Sequence, residues 1–246
     1  MKDYQPASDL LKDRVILITG AGQGIGKTAA LAFAHHGATV ILTGRKVEKL
    51  EMVYDEIEQA GGSQPAIFPL DMEKATDMDF QAMAQAIEVQ LGRLDGILHN
   101  ASRLDNLSPL ELQTLDQWLG ILRVNLAAPF ALTKACLPLL KKAPDAAIVM
   151  TSESHSQNPA PYWGAFAISK HAQDGLVKMW AQELEQFENI RINSIIPGPV
   201  KSPQRAKTHP GELKDNLPDP ETLMPLYLYL MGPDSKNTSG QIFTAQ

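Results

Sequence analysis

The sequence predicts one α/β domain in which a doubly wound parallel β-sheet lies between two layers of helices. Short runs rich in β-branched residues alternate with longer amphipathic stretches, as expected when helices connect parallel strands. A glycine-rich turn separates the first strand from the first helix. No internal repeat, low-complexity tract or shift of composition divides the 246 residues, so residues 1–246 are expected to form a single domain.

The first half of the chain contains four predicted strands and three predicted helices. The strands are expected at residues 14–19, 39–43, 64–69 and 96–99, and the helices at residues 24–36, 47–60 and 75–91. Glycines follow the first two helices, at Gly37 and at Gly61–Gly62, where this residue commonly ends a helix.

The second half of the chain contains two longer predicted helices. Residues 116–142 are apolar around much of the helix, and two prolines predict a kink or break near its end. The other elements are a buried strand, a long helix, a strand, a short helix and a last strand, at residues 146–151, 162–187, 191–196, 221–231 and 241–244. Residues 197–220 are rich in proline and favour a mobile loop over a packed element, with 198–220 expected to cover the substrate.

Composition excludes several classes of protein. The chain is 44% hydrophobic and has a net charge of -6, which disfavours nucleic-acid binding. Cys136 is the single cysteine, so neither an intramolecular disulfide nor a cysteine-based zinc site is expected. The N-terminal residues lack the apolar core of a signal peptide, and no charge-free run approaches a membrane span. We therefore expect a cytoplasmic protein without metal or membrane partners.

The glycine-rich turn is the strongest local motif. Residues 19–26 read T-G-A-G-Q-G-I-G and lie where a predicted strand ends and a predicted helix begins. Glycines there permit a tight turn and let backbone N–H groups approach a pyrophosphate at a helix N-terminus. In this context the motif predicts binding of a dinucleotide, whereas an isolated glycine-rich string would indicate only a turn.

The end of the second predicted strand indicates which dinucleotide is bound. An NAD site needs an acidic residue there for the ribose hydroxyls, and residues 39–46 contain none. Arg45 and Lys46 stand there instead, and a guanidinium can pair with a 2'-phosphate. NADP is therefore favoured over NAD, although these two residues could also form a solvated face, and Glu48 is close by.

Five motifs resemble those of the short-chain dehydrogenase/reductase superfamily in their order and approximate spacing. They are the glycine-rich turn, L-H-N-A at 98–101, R-V-N at 123–125, S-K at 169–170 and I-P-G-P at 196–199. The segments D-L-L-K-D-R and M-P-L-Y-L-Y-L-M-G are similar to the YciK-like bacterial branch. The resemblance implies a Rossmann-type fold and an NADP-dependent oxidoreductase that transfers hydride to or from a small carbonyl or alcohol.

The resemblance also implies which residues contact the coenzyme. Asp71 and Met72 match an adenine-contacting pair, and residues 197–200 match the segment near the nicotinamide carboxamide. Ser102 replaces the glycine that usually follows Asn-Ala. Together with the glycine turn, the expected coenzyme contacts are Gly20, Gly22, Gln23, Gly24, Ile25, Gly26, Gly44, Arg45, Asp71, Met72, Asn100, Ala101, Lys170, Pro197, Gly198 and Val200.

The acid–base residues depart from the family pattern. The family uses a tyrosine as proton donor, a lysine four residues later that favours the tyrosinate and holds the ribose, a serine that binds the carbonyl, and an asparagine on a proton path. Lys170 matches the lysine and Asn125 matches the asparagine. Phe166, however, stands at the tyrosine position and Glu153 at the serine position. A shift of one residue would place Ser152 or Ser154 there instead of Glu153.

Three side chains could compensate for the missing phenol. Tyr162 would lie one turn before Phe166 on a continuous helix, as a substitute acid or an aromatic wall. Glu153 could act as a protonated acid or pair with Lys170, and His155 could shuttle protons or simply be exposed.

Three functions are therefore open: an oxidoreductase with an altered acid–base site, a non-catalytic NADP-binding sensor, and a structural subunit that pairs with an active homologue. The long helices at 116–142 and 162–187 resemble those of the family's dimer interface, and their apolar breadth favours a homodimer or homotetramer.

Overall fold

A computed structural model describes residues 4–246, except for the side chain of Lys214, and contains one seven-stranded sheet. All strands are parallel, in the order β3-β2-β1-β4-β5-β6-β7. They are β1 Val15–Thr19, β2 Thr39–Gly44, β3 Ala66–Pro69, β4 Gly96–His99, β5 Ala146–Thr151, β6 Ile190–Ile196 and β7 Ile242–Thr244. The predicted doubly wound sheet is confirmed, with strand boundaries that differ by at most two residues.

Eight α-helices accompany these strands in the part of the chain that the structure describes. They are α1 Gly24–His35, α2 Val47–Gln59, α3 Asp77–Leu91, α4 Leu115–Leu122, α5 Ala128–Lys142, α6 Gly164–Glu183, α7 Pro203–Thr208 and α8 Met224–Met231. The sheet separates two apolar cores because alternate residues of a strand point to opposite faces. Ile16 and Ile18 of β1 belong to the core formed with α1, α2 and α8, whereas Val15 and Leu17 belong to the core formed with α3, α5 and part of α6.

The strand order fixes where a ligand can bind. From β1 the chain moves outward to β2 and β3 and then returns to β4 on the other side of β1. The connections at the carboxyl ends of β1 and β4 therefore diverge and leave a crevice between them.

The long stretch from Leu115 to Lys142 differs from its prediction. The expected break near its end is wrong, because α5 continues through Pro138 to Lys142. The irregularity is a π turn, Arg123–Ala127, which ends two residues before Pro129. Because Pro129 has no N–H and its ring crowds the preceding turn, a wider turn suits this position. By length and composition this stretch could cross a membrane, but half of its most apolar window is buried inside the protein, as in ordinary core helices.

Two other predicted elements need correction. The helix predicted over 162–187 is shorter, and its first two residues lie outside α6. Residues 197–220, expected as a loop without a packed element, contain α7 and short 3₁₀ turns. Pro203 occupies the first turn of α7, where a proline costs no hydrogen bond, and the Ser202 hydroxyl accepts from the N–H of Arg205 as an N-cap.

Candidate functional site

A large cleft lies at the carboxyl ends of the strands. Its volume is about 490 Å³, and its wall is formed by the turns after the strands β1 to β6 together with residues of α2, α6 and α7. This is the crevice that the strand order predicts.

The turn between β1 and α1 requires glycine at two positions. A Cβ on Gly20 would lie 2.9 Å from the Cα of Ala101, and Gly20 has a φ of +69°. A Cβ on Gly26 would lie 2.3 Å from the Gly20 carbonyl oxygen. Gly26 does not line the cleft, so the cleft wall gives no support to its predicted direct contact with the coenzyme. Instead, Gly26 lets α1 pack closely against the turn.

The N-terminus of α1 is open toward the cleft. The N-cap residue Gln23 makes no side-chain hydrogen bond to the helix, and the first turn contains no acidic residue. Gly22, Gln23, Gly24 and Ile25 line the wall here. The first N–H groups of a helix attract an anion when no side chain satisfies them, so this end of the cleft suits a phosphate group.

The turn after β4 is tied directly to β1. The backbone N–H groups of Asn100 and Ala101 donate to the Thr19 hydroxyl over 3.0 and 2.9 Å. The Asn100 side-chain amide donates to the Gly20 carbonyl over 3.5 Å. These bonds hold the two sides of the crevice together, and both Asn100 and Ala101 line it, while their contact with a coenzyme stays a prediction.

Basic residues line the cleft beside β2. Arg45 and Lys46 follow the strand and are exposed, and neither forms an ion pair with the residues that the structure describes. Lys49, which the sequence analysis missed, lies on α2 and donates to the side chain of Gln23. Glu48 is not part of the wall. Gly44, Asp71 and Met72 complete this end of the wall.

Lys170 lies at the opposite end of the cleft and is nearly buried, with 3% of its surface exposed. Its Nζ donates to the Thr151 carbonyl over 2.6 Å and to Gln173 Oε1 over 3.2 Å. Burial lowers the pKa of Lys170 to about 8, and the nearby carboxylates of Glu153 and Asp174 act in the opposite direction. Pro197, Gly198 and Val200 line the same region after β6.

Phe166 lies one helical turn before Lys170 on α6, and it places an apolar ring where the resemblance expects a phenol. It is 1% exposed, and its ring centroid is 5.9 Å from Lys170 Nζ and 5.8 Å from the Trp163 ring. Among the described residues, no tyrosine, histidine or cysteine lines the cleft.

Tyr162 does not line the cleft in this structure. It precedes α6 with a left-handed φ of 74°, is 56% exposed and lies outside the cleft wall. The prediction that it lies on the helix one turn from Phe166 is therefore wrong. The physical reason is that α6 begins only at Gly164, so the 100° rotation per helical residue does not extend back to Tyr162.

Glu153 lines the cleft beyond the end of β5. Its Oε1 accepts from the backbone N–H of Ser154 over 2.8 Å and from the Ser154 hydroxyl over 2.7 Å. Glu153 and Lys170 are not within 4.0 Å of each other, so the predicted direct ion pair is wrong, because each group is held by nearer partners. The side chain of His155 is only 23% exposed, contrary to the expectation of an exposed histidine, because it stacks on Trp163 at 3.9 Å.

Asn125 is fully buried on the π turn and does not line the cleft. Its amide donates to the Arg103 carbonyl over 3.0 Å and to the Ser169 hydroxyl over 2.9 Å, and its Oδ1 accepts from the Arg103 N–H over 2.8 Å. Asn125 therefore joins the turn after β4 to α6, and its role on a proton path stays a prediction.

Two arginines in the wall were missed by sequence reasoning. Arg103 binds the carboxylates of Glu73 and Asp105 over 2.5 and 2.9 Å. Arg205 of α7 forms a two-pronged pair with Glu212, with bonds of 2.6 and 2.8 Å. The R-x-D spacing of Arg103 and Asp105 was a local signal, but nothing in the proline-rich segment indicated that Arg205 reaches the cleft.

Comparison with known proteins identifies relatives along nearly the whole chain. The model of the short chain dehydrogenase family matches residues 14–213. The protein named uncharacterized oxidoreductase YciK from Escherichia coli K12 is 44% identical over 243 residues, which cover 99% of this chain and 96% of that protein.

Two solved structures agree closely with this fold. A short chain dehydrogenase from Shigella flexneri 2a complexed with NADP is 43% identical, with a TM-score of 0.94, and the match covers 98% of this chain and 100% of that chain. A short chain dehydrogenase from Escherichia coli CFT073 complexed with NADPH is 44% identical, with a TM-score of 0.95 and the same coverage. Each is similar to this chain from end to end.

Proposed function

This chain belongs to the short-chain dehydrogenase family of oxidoreductases, and we propose that its cleft binds NADP(H) for hydride transfer. The observation that carries the proposal is the open N-terminus of α1, framed by two glycines that admit no side chain. Two relatives with the same fold were solved with NADP or NADPH, which supports the same coenzyme here.

The residues of the cleft fit this coenzyme from end to end. The glycine turn and the first N–H groups of α1 would hold the pyrophosphate. Arg45, with Lys46 beside it, would pair with the 2'-phosphate, since no carboxylate at the end of β2 is placed to bind a free 2'-hydroxyl instead. Lys170 would donate to the ribose hydroxyls, and residues 197–200 would contact the carboxamide. When bound, the nicotinamide ring donates or accepts the hydride.

The acid–base chemistry around that ring is altered. Phe166 offers no proton, and a positioned acid or base typically contributes about 10²- to 10⁴-fold to a rate. Glu153 adds a negative charge where carbonyl reduction would develop an alkoxide. Two like charges about 4 Å apart repel by about 4 kcal/mol at an effective dielectric constant of about 20. Reduction of ordinary ketones and aldehydes should therefore be slow.

The absence of a proton donor at Phe166 favours a second candidate function, a coenzyme-binding sensor or partner subunit without turnover. Phe166 and Glu153 would both be tolerated in such a protein. Under either function we propose a homodimer or homotetramer, because large apolar side chains on the outer helices are exposed at Leu115, Leu119, Phe130, Ile168 and Met179.

A titration and a turnover assay separate these candidates. NADPH and NADH are titrated by fluorescence, and NADPH consumption is followed with a panel of aldehydes, ketones and imines. Tight NADPH binding with turnover supports the oxidoreductase, whereas tight binding without turnover supports the sensor. Failure to bind NADPH would contradict both. Restoring the family residues in a Phe166→Tyr, Glu153→Ser double variant should raise ketone reduction if the rest of the site is intact.

A further inference from the structure

The end of the cleft beyond Lys170 combines an anion with aromatic walls. Glu153 is linked through His155 to the indole of Trp163, by a 3.5 Å approach of Nδ1 to Oε1 and by the ring stack at 3.9 Å. Trp163 in turn packs on Phe166. Glu153, Trp163 and Phe166 all line the cleft, so a ligand there meets a carboxylate beside two apolar rings.

The two arginines near this end are already paired with other carboxylates, and the buried ammonium of Lys170 donates to a carbonyl and an amide. The guanidinium of Arg205 faces Glu212, and that of Arg103 faces Glu73 and Asp105. Neither arginine is therefore available for an anionic substrate without breaking an ion pair. By contrast, among the side chains that the structure describes, which exclude Lys214, no lysine or arginine lies within 4.0 Å of the Glu153 carboxylate, and only its Oε1 accepts hydrogen bonds from them or from the described backbone.

This arrangement suits a substrate that is already protonated. Reduction of a neutral carbonyl creates an alkoxide that needs a proton, and the described wall contains no phenol, imidazole or thiol to supply one. An iminium cation needs none, because hydride addition gives a neutral amine. A carboxylate beside the nitrogen also favours the protonated, electrophilic form of the imine, and aromatic faces attract cations.

We propose that the substrate is a cationic imine, which Glu153 binds through its nitrogen and which is reduced to an amine. This inference rests on the proposed NADP(H)-dependent hydride transfer. The imine carbon accepts a hydride with its electron pair and forms a new carbon–hydrogen bond. The carbon–nitrogen π bond breaks, and its two electrons become the nitrogen lone pair. The substrate is reduced, NADP⁺ is the oxidised coproduct, and the positive charge passes from substrate to coenzyme without a proton from the protein.

The first test compares imines with ketones of the same shape. NADPH consumption is measured with 2-methyl-1-pyrroline against 2-methylcyclopentanone, and with 3,4-dihydroisoquinoline against 1-tetralone. We expect kcat/KM to be at least tenfold higher for the imine of at least one pair. A ratio below tenfold in both pairs would overturn the inference.

The second test measures the role of the Glu153 charge. Glu153→Gln should lower kcat/KM for the imine at least thirtyfold, whereas Glu153→Asp should retain more activity. The matched control is Glu185→Gln, an exposed glutamate near the end of α6, which should change nothing. Titration calorimetry with 2-methylpyrrolidinium into the NADP⁺-saturated protein gives a readout without turnover. Its affinity should fall at least tenfold in Glu153→Gln only.

NADPH binding, measured first by fluorescence, distinguishes failure of this inference from failure of the proposed function. If NADPH does not bind, both fall. If NADPH binds and no imine is consumed, or if the ammonium binds equally well to Glu153→Gln, the cationic-imine substrate is overturned while coenzyme binding stands.

Discussion

All strands run in the same direction, so the sheet has an amino edge, where the strands begin, and a carboxyl edge, where they end. Charged residues at these two edges have opposite roles. At the amino edge, Arg14 and Arg191 both bind the carboxylate of Asp145. Arg14 also donates to the Asp95 carbonyl over 3.1 Å, and Arg191 to the Ser235 hydroxyl over 2.8 Å. Burial would raise the pKa of Asp145, but the hydrogen bonds and charges of the two arginines outweigh it and hold that pKa below its usual value.

At the carboxyl edge, cationic groups are left with unused hydrogen-bonding capacity. Arg45 is exposed without an ion pair among the described residues, and the ammonium of Lys170 binds only an uncharged carbonyl and amide. The charged residues at the amino edge therefore hold strands together, whereas those at the carboxyl edge are left available to a ligand. Substitutions at the two edges should therefore separate stability from coenzyme binding.

The largest expected effect is on the amino edge. Asp145→Ala leaves two nearly buried guanidinium groups without their shared carboxylate, and breaking a buried pair typically costs about 3–5 kcal/mol. Urea unfolding should show this loss, while NADPH affinity at a temperature where the variant is folded should match that of the wild type. A large loss of affinity with little change in unfolding would show that the two edges are not separable.

Gly26→Ala should lower both the unfolding free energy and the NADPH affinity, because α1 packs closely against the glycine turn at this position. The new Cβ would lie 2.3 Å from the Gly20 carbonyl oxygen and 2.6 Å from the Asn100 amide nitrogen. Overpacking of this kind costs about 1–3 kcal/mol, and we expect NADPH affinity to fall on the order of a hundredfold as the turn shifts. The matched control is Gly175→Ala in α6, where a Cβ meets nothing within 4 Å. That variant should bind NADPH normally and be slightly more stable.

Arg45→Ala should change coenzyme binding alone. Loss of charge-assisted hydrogen bonds worth about 1.5–3 kcal/mol predicts NADPH affinity about ten- to a hundredfold lower. NADH affinity and the unfolding free energy should stay within error of the wild type. The control is Lys178→Ala on the exposed surface of α6, in which these two quantities should also stay within error. An equal loss of affinity for NADPH and NADH would show that Arg45 does not bind the 2'-phosphate.

The smallest expected effect is the pH dependence from Lys170. Its ammonium form is the one that donates to a ribose, and its pKa is lowered to about 8 by burial. The charged fraction falls as pH rises through about 8, so NADPH affinity should decrease there, by about tenfold toward pH 9. Binding above pH 8 should take up a proton, which calorimetry in two buffers detects. If NADPH affinity decreases in the same way in Lys170→Met, the titrating group is not Lys170.

Residue patterns were sufficient to predict the sheet, the glycine turn and the basic end of the cleft. Each depends on a short-range rule: side-chain periodicity, the conformation that only glycine adopts, or the residue that follows a strand. Gly20, Arg45, Lys170 and Phe166 accordingly lie together in the cleft wall, while their contacts with a coenzyme or substrate stay predictions. Element boundaries were less accurate, as the late start of α6 shows.

What the chain alone determined is therefore the architecture and the absence of a hydroxyl at position 166, because both follow from residue identity and local spacing. Tertiary structure decided which side chains meet. It placed Tyr162 outside the cleft, kept Glu153 and Lys170 apart, buried Asn125 behind the wall and brought Arg205 into it. It also joined Arg14, Asp145 and Arg191, which are far apart in sequence. Such contacts depend on how strands and helices pack in three dimensions, and no local pattern contains that information.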